Sequence, residues 1–173
     1  VTRLTNSGCN LIFGETIENH QPALSPDGRK IAFISSRDRT SFRIRSIYVM
    51  HSDGTNQTRI TDDDTDLDIW NREPSWSPDS TKIVYHSNRD TNAGLSEIYV
   101  MDSDGSNQLR LTDSYGLEDF YPHWSPAADK IVYSRQTESG GPYNLWVMDS
   151  DGSNKAALTE SSDRHLTASW SPN

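Results

Sequence analysis

Five aspartates crowd one short run, DDDTDLD: Asp62, Asp63, Asp64, Asp66 and Asp68. Hard cations take oxygen ligands from loop carboxylates, so calcium is the one ion for which the sequence offers a place. The run lacks an Asp-x-Asp-x-Asp-Gly order with a distal Glu, and a solvated acidic loop accounts for the same residues. The five histidines, His20, His51, His86, His123 and His165, share no repeat position and no ligand spacing. They read as singly placed polar or surface residues. The sequence has no Gly-x-Ser-x-Gly elbow, no His-Glu-x-x-His and no phosphate-binding glycine loop. The expectation is a protein that is not an enzyme and has no catalytic residues. No cofactor is expected, calcium apart. Cys9 is the single cysteine and cannot close an internal disulfide. Asn56-Gln57-Thr58 is a glycosylation-type sequon, a motif too common to place the host.

The elements that would carry these residues must be polar and short. The chain has 173 residues, 32% of them hydrophobic and 9% aromatic, with a mean hydropathy of -0.78. That composition suits many short strands joined by polar turns better than a few long buried helices. A net charge of -9 and a pI near 4.9 argue against nucleic acid as a partner, which would call for clustered Lys and Arg. No run of about 18 apolar residues is present, so no membrane insertion is expected. No charged-then-apolar leader opens the sequence, and a mature or excised chain would look the same.

Three segments repeat in register. SPDGRKIAFISSRD starts at Ser25, SPDSTKIVYHSNRD at Ser77 and SPAADKIVYSRQTE at Ser125, and SPN follows at Ser171, giving spacings of 52, 48 and 46 residues. IYVMHSDG at Ile47, IYVMDSDG at Ile98 and LWVMDSDG at Leu145 keep step. So do the threonines that end RIT at Thr61, RLT at Thr112 and ALT at Thr159, with an orphan RLT ending at Thr5. KIAF and KIVY read as strands buried on both faces. The Ser-Pro turns at Pro26, Pro78 and Pro126 precede them, and Asp-Gly pairs ending in Gly54, Gly105 and Gly152 suit tight hairpins into a last strand. Pro22, Pro74 and Pro122 mark a first, short strand, with Trp76, Trp124 and Trp170 at its end. A unit of four antiparallel strands in about 46–52 residues has the size of a propeller blade. The fold class is therefore all-β: blades over 18–61, 71–112 and 121–159, with extra strands at 1–5 and 167–171. Trp and Tyr in the repeat are expected to pack between blades.

WSPDS at Trp76, IAFISSRD at Ile31, VMDSDGSN at Val100 and Val147, and the Leu-Thr pairs resemble the hallmarks of TolB-like β-propellers over nearly the whole chain. Three departures stand out. Ala127-Ala128 replaces Asp-Gly, so that turn should differ; Ala168 replaces the blade proline; Leu24 replaces the tryptophan of the first copy. The resemblance implies a non-catalytic, periplasmic or extracellular bacterial module that binds protein. It also implies a ring of six blades, which three blades and two strands do not close. The chain is then part of a larger propeller, or it assembles with copies of itself into a homo-oligomeric ring or filament. A propeller domain of a larger peptidase or sensor is the remaining reading. Specificity in such a scaffold belongs to the loops, here the insert between Arg37 and Ile47 and the loops 62–72, 88–97 and 113–121.

Overall fold

The computed structural model describes residues 5, 9–10, 15–37, 45–61, 69–91, 94–160 and 168–171. A short hairpin, β1 (Cys9–Asn10) with β2 (Glu15–Thr16), comes first. The first four-stranded sheet holds β3 (Asn19–Leu24), β4 (Lys30–Ser35), β5 (Ser46–His51) and β6 (Thr58–Arg59) in that order. β7 (Asn71–Trp76), β8 (Lys82–Ser87), β9 (Glu97–Asp102) and β10 (Leu109–Arg110) form the second. β11 (Asp119–Trp124), β12 (Lys130–Gln136), β13 (Tyr143–Asp149) and β14 (Ala156–Ala157) form the third. Every pairing within these three sheets is antiparallel, so they are blades built as consecutive meanders. The inner strands β3, β7 and β11 pack successively on one another, whereas the outer strands β6, β10 and β14 do not meet. The blades therefore fan out from an edge formed by the inner strands.

The details follow from the repeat. The first strand is not short: six residues, like its neighbours, because the chain continues extended through a bulge in front of the proline. The outer strand keeps only two paired residues. Beyond that ladder the repeated threonine continues the pairing with its side chain. Thr61, Thr112 and Thr159 each accept on Oγ1 the backbone N–H of Ile47, Ile98 and Leu145, at 3.0, 2.9 and 3.0 Å. A buried N–H needs such an acceptor, which explains why the repeat ends in threonine. The expected strand at the start of the chain falls at 1–5, of which only Thr5 is described. Residues 168–171 carry no strand.

Turns are set by local hydrogen bonding. Ser25 and Ser77 receive the N–H of Lys30 and Lys82 on Oγ, both at 2.9 Å, and donate to Asp27 and Asp79, both at 2.6 Å. In the third copy the backbone is the same, with Ala128 N–H on the Ser125 carbonyl at 3.0 Å and φ +61°. Only the carboxylate moves: Ser125 Oγ donates to Asp129, one position after the Ala pair. At the other hairpins, Gly105 and Gly152 sit at φ +91° and +86°. A Cβ on Gly105 would lie 2.4 Å from the Ile60 carbonyl, and one on Gly152 3.0 Å from that of Leu111. Glycine is required there because each hairpin touches the outer strand of the blade before it.

The core lies between blades. Ala32, Ile47, Val49 and Ile60 of the first sheet meet Trp76, Ile83, Tyr85, Tyr99 and Met101 of the second. Val84, Ile98, Val100 and Leu111 meet Trp124, Ile131, Tyr133 and Met148 in the same way. Trp76 donates its indole N–H across the interface to the Ala23 carbonyl at 2.9 Å. Trp170 does the same to His123 at 3.3 Å, so it takes the place against the third blade that Trp76 takes against the first. Leu24, where the first copy lacks the tryptophan, is 60% exposed.

Candidate functional site

In an antiparallel blade the turns alternate between two ends. The second-to-third strand loops and the blade-to-blade loops share one end, and there 88–91 and 94–97 meet 113–121. Between them lies a cleft of about 550 Å³. Asp90, Thr91 and Leu95 line one side, Asp113, Tyr115 and Gly116 the other, with Glu97 and Arg110 at the base. Glu97 is buried, and four donors saturate it. Arg110 Nη2 (3.0 Å), the Ser114 N–H and hydroxyl (2.8 Å each) and the Thr112 hydroxyl (2.6 Å) all point at its carboxylate. Arg110 also bridges to Asp113 at 3.0 Å and donates to the Thr112 carbonyl at 2.7 Å. The base is thus a fixed polar platform, since buried Glu97 and half-buried Arg110 both have further partners. Tyr115 stands on it at 96% exposure with φ +46°.

Behind the platform, Asp119 is fully buried and takes a two-pronged contact from Arg135, at 2.8 and 2.7 Å. Burial, opposed by that guanidinium, pushes its carboxyl up to about 6. Arg135 also lies over the rings of Tyr133 and Trp146. Motif reading passes over this pair. The available signal was polarity at matched repeat positions, Ser46, Glu97 and Asn144 in one column and Asn19, Asn71 and Asp119 in another.

A second concavity lies at the inner strands. At each bulge the residue before the proline adopts a left-handed backbone: Gln21 (φ +52°), Glu73 (+51°) and Tyr121 (+53°). Non-glycine residues pay for this conformation, and a following proline disfavours it further, so packing must hold all three. Gln21 and Glu73 bond to each other across the blades, amide to carboxylate and Glu73 N–H to Gln21 Oε1 at 3.2 Å. Beside them is a pocket of about 310 Å³ bounded by residues of all three inner strands.

The histidines divide. His51 is exposed, and His20 and His123 are half-buried, with pKa values lowered by burial. His86 departs from the expected polar or surface placement. It is 2% exposed, with Trp70, Phe120 and Tyr121 edge-on to it at 6.2, 5.0 and 5.9 Å. Burial takes its pKa down to about 3. His165 and Asp62, Asp63, Asp64, Asp66 and Asp68 lie outside the described residues. Among those described, no group of three or more His, Cys, Asp or Glu side chains could hold a metal. The hallmark residues Pro26, Pro78 and Pro126 sit in the Ser-Pro turns and Gly54, Gly105 and Gly152 in the hairpins, while Trp76 and Trp124 are interblade core.

Comparison with known proteins gives the fold a family. The model of the TolB beta propeller domain matches residues 4–173. The uncharacterized protein Atu1656 of Agrobacterium fabrum is 32% identical over 130 residues, covering 75% of this chain and 40% of its own length. The uncharacterized peptidase YuxL of Bacillus subtilis is 28% identical over 121 residues, 64% of this chain and 16% of that one. A structure described as TolB from Agrobacterium tumefaciens superposes with a TM-score of 0.68 at 26% identity, over 88% of this chain and 59% of its own. The chain thus spans less than two thirds of each of these relatives.

Proposed function

From the premise that this chain belongs to the TolB beta propeller domain family, we propose that it supplies blades of a non-catalytic propeller that binds a protein partner at the rim cleft. One observation carries this reading. Two loops outside the repeat, 88–97 and 113–121, meet over a fixed Glu97–Arg110 platform and hold Tyr115 in solvent. Exposed tyrosine over a rigid polar base is the composition of a binding hot spot. The likeness to TolB structures supports a periplasmic or extracellular setting. A photoreactive residue at position 115 tests the assignment. It should crosslink a partner protein in cells of the source, and the same residue at position 107, at the opposite end of the blade, should not. Equal capture at both positions refutes the cleft as the contact.

Two further readings keep specific support. The match to YuxL favours the propeller part of a larger peptidase. The exposure of Leu158 (55%) at the end of the third blade and of Trp170 (36%) beside it favours a further blade there, from the same polypeptide or a second copy. Calcium at Asp62, Asp63, Asp64, Asp66 and Asp68 remains a proposal of the sequence. A melting temperature unchanged by calcium or chelator would remove it.

A further inference from the structure

The pocket at the inner strands has a makeup that the blade repeat does not require. About half of its wall is carbon, from the rings of Pro22, Pro26 and Pro74, the side chain of Leu24 and part of Trp76, and Gln21, Glu73, Ser75 and His123 give it a polar side. One carboxylate, Glu73, stands against them, where the other two blades place the uncharged Gln21 and Tyr121. Glu73 is half-buried, and burial raises its pKa, the sign of a charge short of solvent. One of its oxygens is taken by the Gln21 amide. The adjacent Arg72 partly offsets that shift, but it makes no salt bridge to Glu73 among the described residues; its guanidinium lies 4.7 Å over the Trp70 ring.

We infer that this pocket takes the lysine side chain of a partner polypeptide, its methylene stem against the prolines and Leu24 and its ammonium on the free oxygen of Glu73. The proline and leucine side of the wall suits the stem of a long cationic side chain, and a half-buried carboxylate with no salt-bridge partner among the described residues suits its head. Lysine fits better than arginine because Gln21 leaves one oxygen open. An ammonium is a point donor, whereas a guanidinium gains its two-pronged advantage only where both oxygens are open. His123 also lines the pocket, and burial keeps its imidazole neutral at pH 7, able to accept a second ammonium hydrogen.

The biological partner rests on the protein-binding reading above, but the chemistry can be tested without it. The full chain is titrated with Nα-acetyl-lysine methylamide and with its norleucine and arginine counterparts. The Trp76 indole and His123 ring resonances report binding. The lysine probe should give saturable shifts, and the other two should bind roughly tenfold more weakly or worse. Glu73→Gln should cost the lysine probe a similar factor while leaving spectral dispersion intact. The inference is overturned by equal binding of the norleucine or arginine probe, by unaltered affinity in Glu73→Gln, or by no saturable shift. The three-probe comparison on the unaltered protein stands even if the variant fails to fold. Crosslinking at position 115 is independent of all these outcomes.

Discussion

His86 shows at the scale of one residue how burial outranks residue type. Its imidazole sits between Trp70, Phe120 and Tyr121 with Nδ1 unpartnered, so the folded protein holds it neutral. The unfolded chain protonates it near 6.5, whereas the folded state resists until about pH 3. Its contribution is therefore complete above pH 6.5 and declines as the pH falls. Between pH 6.5 and 5 the loss should be about 2 kcal/mol, and His86→Phe should remove that part of the slope in urea denaturation. Nothing in KIVYHS marks the histidine as core except the apolar strand around it. Gly105 was easier to read, since Asp-Gly announces a turn. The sequence could not show that the Ile60 carbonyl lies where a Cβ would stand. Gly105→Ala should cost about 2 kcal/mol or more by the same measurement.

Among elements, the outer strand has the least pairing and depends most on one side chain. Thr112 accepts the Ile98 N–H and donates to Glu97, both buried. Thr112→Val keeps the shape and strands both groups, so it should destabilise by roughly 2–4 kcal/mol. It should also loosen the platform under Tyr115. Thr159→Val, at a half-buried site bonded to the neutral Asn144, should cost less. The order of strands was legible because apolar runs, Ser-Pro turns and Asp-Gly hairpins recur in register. The bulges at Gln21, Glu73 and Tyr121 were not, since no left-handed preference attaches to those residue types. Likewise, the turn at Ala127-Ala128 kept its backbone because Asp129 supplies the carboxylate that the motif had lost.

For the whole molecule, stability resides between sheets, so one interface should unfold with the other. Trp124→Ala should cost about 3 kcal/mol or more, with one cooperative transition. Trp170→Ala, at a half-exposed indole with a 3.3 Å bond, should cost under about 1 kcal/mol. The blade count and the packing role of Trp76 and Trp124 could be read from spacing alone. The cleft could be located only as loops that vary. Its chemistry depends on Glu97, Arg110 and Ser114 converging from separate segments, which periodicity does not encode. Amide hydrogen exchange with and without the partner captured at position 115 tests the binding account most directly. It predicts new protection at 88–97 and 113–118. Protection at the hairpin end around Gly54, Gly105 and Gly152, with none at the cleft, would contradict it.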